Sequence, residues 1–143
     1  MQLSYRAYQV GDFSYCNSLM EENMGAYFEA LGIKWDPNRY IRELAKGQAW
    51  IIFLENEKVG FVHTSEKEEL PYVDSIQISA KFRQRGIGSS VLAWLEEQFQ
   101  KESKTAIQLS VFKNSPALRL YKRLGYAVKA DRGSKFLMQK SLS

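Results

Sequence analysis

The chain has 143 residues, one Cys, 45% hydrophobic and 25% charged residues, and a formal net charge of +4. At that length folding buries roughly 70% of the chain's surface, enough for a core without disulfides, and 1–143 is expected to form one domain. These figures exclude a disulfide scaffold, a coiled coil and long disorder, and no apolar run approaches the ~18–20 residues of a membrane span.

A lone Cys16 and a start without a basic-then-apolar leader pattern predict a cytoplasmic protein. The excess of 20 basic over 16 acidic residues is compatible with an anionic ligand. It is too small and too evenly spread to indicate a nucleic-acid surface, and the aromatics do not alternate with basic residues along one exposed strand.

In chain order, residues 3–8 read as a short strand. Asp12 reads as the N-cap of a helix whose apolar positions Cys16, Leu19, Met20, Met24, Tyr27, Phe28 and Leu31 recur at helical spacing, with Gly32 as its stop. Asp36-Pro37 predicts a second helix through Tyr40, Ile41 and Leu44, ending near Gly47. Residues 49–54 and 59–64 form a hairpin around a turn at 55–58. Residues 65–70 read as a charged loop. Pro71 opens a strand through Val73, Ile76 and Ile78. A Gly-rich basic turn then leads into a helix with Val91, Leu92, Leu95 and Phe99 on its buried side. A strand at 106–112, a short helix at 115–124 closed by Gly125, and strands at 126–130 and 136–140 complete the order. Seven strands and four helices in this sequence predict an α/β (α+β) fold with a mixed, mainly antiparallel sheet.

Arg83-Gln84-Arg85-Gly86-Ile87-Gly88-Ser89 lies between a strand and a helix. Helix N-termini present unpaired N–H groups and a positive dipole end, which suit phosphate. Gly86 and Gly88 let oxygens approach, and Arg83 and Arg85 add charge. A Gly-x-Gly before a helix also serves as a plain tight turn. The flanking arginines and the preceding strand favour phosphate. Neither a Walker loop nor a dinucleotide fingerprint is present, since Gly-Lys-Ser/Thr and the third Gly are both missing.

The second motif runs Asn114-x-x-Ala117-x-x-x-Tyr121-x-x-x-Gly125-Tyr126. Asn114 follows a strand and precedes a helix, where it caps or meets a ligand amide. Ala117 and Tyr121 share a helix face. Taken alone, Tyr121 reads as a half-buried packing residue.

Arg83-x-x-Gly86-x-Gly88 followed by this second motif resembles the GCN5-related N-acetyltransferase (GNAT) family over nearly the whole chain. The resemblance implies an acetyl-CoA-dependent acyltransferase whose sheet is splayed between its fourth and fifth strands, with four helices on its faces. It implies that the backbone of Ile76, Gln77 and Ile78 bonds the pantetheine. Arg83, Gln84, Arg85, Gly86, Ile87, Gly88 and Ser89 would hold the pyrophosphate, and Asn114 and Tyr121 would lie along the cofactor arm and near its sulfur. Acetyl-CoA is then a co-substrate, with no metal, and the partner is an amine acceptor rather than nucleic acid or membrane, in a monomer or homodimer. The strings at 20–24 and 31–36 resemble a bacterial branch of the family.

Tyr121 is the candidate general acid. The family has no fixed general base; Asp74 matches a position that is often acidic, and Glu21, Glu22 and His63 are further candidates. Glu21 and Glu22 also fit a solvated helix face, and His63 a structural role. The acidic and aromatic residues Tyr27, Phe28, Glu29, Trp35, Asp36 and Tyr40 suit either a cationic amine or the core. A CoA-binding module that senses without catalysis is the alternative; it would keep 83–89 but would not need Tyr121.

Overall fold

Seven strands and four helices form in the expected order in the computed structural model, which describes residues 1–142. They are β1 (Leu3–Ala7), α1 (Phe13–Ala30), α2 (Pro37–Leu44), β2 (Gln48–Leu54), β3 (Glu57–Lys67) and β4 (Leu70–Ile78). There follow α3 (Ile87–Lys101), β5 (Ala106–Phe112), α4 (Ala117–Arg123), β6 (Ala127–Asp131) and β7 (Lys135–Ser141). The strands lie in the order β1-β2-β3-β4-β5-β7-β6. β4 and β5 run parallel, with Tyr72 opposite Gln108 and Val73 opposite Leu109. The β1–β2, β5–β7 and β6–β7 pairs are antiparallel. The parallel pair follows from the helical crossover through α3, which returns the chain to the same end of the sheet.

The chain divides into two compact units, one of Met1–His63 with Ser75–Gly88 and the other of Thr64–Asp74 with the chain from Ser89 onward. The first is built around Cys16 and Leu19 of α1, Tyr40 and Leu44 of α2, Ala49 and Ile51 of β2, and Phe61 of β3. α2 starts as its sequence dictates. Pro37 takes the first helical position and the Asp36 carboxylate accepts from Asn38 N–H at 3.0 Å and Arg39 N–H at 3.3 Å. Such a cap contributes about 1 kcal/mol. In the second unit Val91, Leu92, Leu95 and Phe99 form the buried face of α3, and Ile107, Leu109 and Val111 are buried on β5.

Three local expectations change. Asp12 does not cap α1, because Arg6 grips its carboxylate at 2.9 and 3.0 Å and the Gln9 N–H donates to it at 2.9 Å. Residues 65–70 are not a loop: β3 continues to Lys67, β4 starts at Leu70, and the reversal is made by Glu68 (φ 52°) and Glu69 (φ 67°). Two successive positive φ values give the tight hairpin turn whose twist matches paired strands. The fourth helix is Ala117–Arg123, and Ser115 Oγ rather than Asn114 meets its first N–H, that of Ala117, at 3.1 Å.

Candidate active site

In the first unit, the end of β4 and the start of α3 bracket the Gly-rich turn. Ser79 N–H donates to Val59 O at 2.8 Å, so alternate residues of this stretch face β3. Gln77 does so too, and closely: a Cβ on Gly60 would lie 2.1 Å from Gln77 O, so only glycine fits there. By strand alternation the main-chain groups of Ile76 and Ile78 turn the other way.

Positive φ values at Gln84 (63°) and Gly86 (78°) curl the turn, and α3 begins at Ile87. Turns of this kind gather backbone N–H groups toward one concavity. Gly88 has an ordinary backbone conformation, and among the described residues a Cβ there would meet nothing within 4 Å beyond its chain neighbours and its own helix backbone. No described residue therefore requires glycine at 88. Its missing side chain leaves room beside the first unpaired N–H groups of α3, which fits a phosphate oxygen.

The two arginines differ in their surroundings. Arg83 is tied back: its Nε donates to Ile78 O at 3.4 Å and its Nη2 to Asn23 Oδ1. Arg85 is exposed, with its guanidinium 5.3 Å from the Phe82 ring centre.

Asn23 was not a candidate in the sequence, yet it organises this end of the unit. Its Nδ2 donates to Gln77 Oε1 at 3.0 Å and to Ile78 O at 3.1 Å. Gln77 Nε2 in turn donates to the Ser75 hydroxyl at 2.8 Å. Asn23 thus bonds α1 to β4 and to Arg83 of the turn. An isolated Asn in an amphipathic helix carries no periodic signal, and its partners lie 54 to 60 residues away in the chain.

The remaining candidates of this unit are structural or solvated. His63 is buried, with Nε2 at 2.8 Å from Lys46 O. Glu21 and Glu22 are exposed. Phe28 stacks on Trp35 with ring centres 5.1 Å apart, and Trp35 packs on Tyr40 at 4.8 Å. The Trp35 indole donates to Asn17 Oδ1 at 2.8 Å. An open cavity of about 760 Å³ lies against Trp35, Asp36, Pro37, Arg39 and Tyr40.

In the second unit, Asp74 is exposed on β4 and Asn114 is exposed after β5. Tyr121 is half-buried on α4, its ring 6.0 Å from that of Tyr126. The two hydroxyls differ. That of Tyr126 donates to Glu96 at 2.9 Å, whereas that of Tyr121 makes no hydrogen bond to a described residue. Burial pushes the Tyr121 pKa up, so its proton is retained at neutral pH. Among the described residues no three His, Cys, Asp or Glu side chains group as metal ligands.

The sequence pattern of the "Acetyltransferase (GNAT) family" matches residues 16–126. The uncharacterized N-acetyltransferase YesJ of Bacillus subtilis is 33% identical over 78 residues, covering 53% of this chain and 43% of YesJ. The uncharacterized N-acetyltransferase YafP of Escherichia coli is 28% identical over 98 residues, covering 68% of this chain and 58% of YafP. The matched segments thus span about half the length of these curated relatives. The PaiA N-acetyltransferase of Thermoplasma acidophilum, solved in complex with coenzyme A, superposes with a TM-score of 0.77 at 18% identity, covering 99% of both chains. At that identity the likeness is one of fold.

Proposed function

We propose, since the chain belongs to the acetyltransferase (GNAT) family, that it transfers the acetyl group of acetyl-CoA to the nitrogen of a primary amine. The observation that carries the reading is Gly88, a glycine that no described residue requires, placed at the N-terminus of α3 beside an exposed arginine. The backbone N–H groups of 86–89 and the Arg85 guanidinium take the pyrophosphate, and Arg83, held by Asn23, keeps the turn in shape. The main-chain groups of Ile76 and the N–H of Ile78, which turn away from β3, bond the pantetheine amides; Ile78 O is already held by Asn23 and Arg83. Gln77 serves through its buried side chain, which Asn23 and Ser75 hold in place. Asn114 meets the cofactor arm.

In the reaction the amine nitrogen attacks the thioester carbonyl carbon, the carbon–sulfur bond breaks, and CoA departs as a thiolate. A Lys-like amine has an ordinary pKa of ~10.4 and must first lose a proton. The exposed Asp74 carboxylate passes it through water to solvent, and the second proton, which the nitrogen loses once the carbon–nitrogen bond has formed, leaves by the same route. Tyr121 offers its proton to the departing sulfur. An ordinary tyrosine pKa of ~10 already exceeds a thiol's ~8.5, and burial raises it further, so full transfer is uphill. Its contribution is a hydrogen bond that strengthens as charge develops on sulfur, worth on the order of 10²-fold. A hydroxyl without a hydrogen-bond partner among the described residues favours this role over a purely CoA-binding module, which would have no use for it.

The test is Gly88→Ala. Alanine suits a helix better than glycine, so the variant should fold. Its added methyl group should raise the acetyl-CoA dissociation constant at least ~10-fold, or ~1.4 kcal/mol, in a calorimetric titration. Unchanged affinity in a folded variant would remove the start of α3 from the cofactor site.

A further inference from the structure

The second unit carries a pair of cations that the proposed transfer does not use. On β5, Ser110 and Phe112 share one face, and Lys135 of β7 stands directly opposite Phe112. Tyr72 of β4 belongs to the same face, since its hydroxyl donates to Ser110 Oγ at 2.8 Å. Lys67 Nζ lies 3.9 Å from the centre of the Tyr72 ring, and Lys135 Nζ lies 4.6 Å from that of Phe112.

Two of the acidic groups nearby are committed to other lysines. Glu66 pairs with Lys104 at 3.6 Å, and Asp131 pairs with Lys113 at 2.7 Å. Neither Lys67 nor Lys135 has a carboxylate within 4.0 Å among the described residues. Lys135 is half-buried, and burial first and the charge of Lys67 second lower its pKa. The two ammonium groups stand over rings of one sheet face, one of them partly desolvated, and an anion bound on that face is attracted to both.

We infer that Lys67 and Lys135 bind an anionic group carried by the amine that is acetylated, so that the acceptor is an amino acid-like molecule with a carboxylate or phosphate a few bonds from its nitrogen. The inference rests on the acetyltransferase reading only for the word acceptor; the anion site stands on the lysines. Asp74 lies two residues beyond Tyr72, roughly 6–7 Å along the same face. The cationic end of such a molecule therefore meets the carboxylate while its anionic end meets the lysines. Lysines act as point charges and do not impose the planar two-point geometry of arginine, so both oxyanions fit.

The test uses the whole chain and matched amines: leucine against leucinamide, and phosphoethanolamine against ethanolamine. Binding is read by calorimetry with and without acetyl-CoA, and transfer by thiol release. At least one anionic member should bind ~10-fold more tightly than its neutral partner, and the pair with the larger ratio names the anion. In Lys67→Met and Lys135→Met that ratio should fall toward 1. Because the preference is measured in the unaltered chain, a variant that fails to fold leaves the test intact. Equal binding within both pairs, or no binding of any of these amines, would overturn the inference. So would lysine variants that weaken acetyl-CoA while keeping the preference, since the anion would then be a cofactor phosphate. An anionic preference in binding without any transfer would strike the acetyltransferase reading and leave this one standing.

Discussion

Tyr121 and Tyr126 lie together on and after α4, and their hydroxyls differ: one is fixed on Glu96, the other makes no hydrogen bond to a described residue. Tyr121→Phe keeps the ring and its packing and removes only the unbonded group. It should lower kcat by roughly 10-fold to 10³-fold with acetyl-CoA affinity nearly unchanged, because a bond made to developing charge acts on the transition state more than on binding. Steady-state kinetics with two acyl donors of different thiol pKa sharpen the point, since the loss should shrink for the more acidic thiol. A fully active Phe variant would return Tyr121 to packing alone. Asp12 gives a residue-scale prediction about stability. The hydrogen bonds from Arg6 hold its carboxyl below the ordinary range, assisted by the Gln9 N–H and by Lys58. A lowered folded-state pKa contributes stability that is fully present above the ordinary value of ~3.9 and is lost as pH falls through the lower folded value. Denaturant melts below about pH 4 should therefore show a smaller acid-induced loss for Asp12→Asn than for the unaltered chain. Equal slopes would mean that Asp12 is not linked to folding.

In the β3–β4 hairpin the chain reverses through two residues. Glu68 and Glu69 both adopt positive φ, a region that side chains other than those of Gly, Asn and Asp occupy rarely. Replacing them with Asn-Gly, the pair this turn favours, should raise stability by about 1 kcal/mol in chemical denaturation. A drop in stability would show that the glutamates hold the turn by contacts of their own. This turn was illegible in the sequence for the same reason: six mostly charged residues without Gly or Asn look like a loop, and only the strand pairing imposes the reversal. By contrast, α3 was legible because Leu92, Leu95 and Phe99 repeat at helical spacing and all become buried. The start of α2 was legible because Asp36-Pro37 states its own cap. The turn before α3 was legible as a turn because glycines at short spacing mark one, and Gln84 and Gly86 do take positive φ there. Asn23 could not be, because its role exists only once α1 lies beside the end of β4. The lysine pair was equally hidden. Lys67 and Lys135 are 68 positions apart in the sequence, and the sheet brings them to one face.

For the whole molecule, the family and the strand order are established, and no helix among the described residues is long and apolar enough to cross a membrane. Catalysis is tested most directly by release of free thiol from acetyl-CoA in the presence of a panel of primary amines, with the acylated amine identified by mass. The chain's own thiol does not confuse the reading. Cys16 is 1% exposed, and burial pushes its pKa up to about 12, so in the folded protein it stays an unreactive thiol. Thiol release should depend on the amine, be matched mole for mole by acetylated amine, and fall in parallel with acetyl-CoA affinity in Gly88→Ala. Tight acetyl-CoA binding with no thiol released for any amine in the panel would contradict this, and would leave a protein that binds the cofactor without using it.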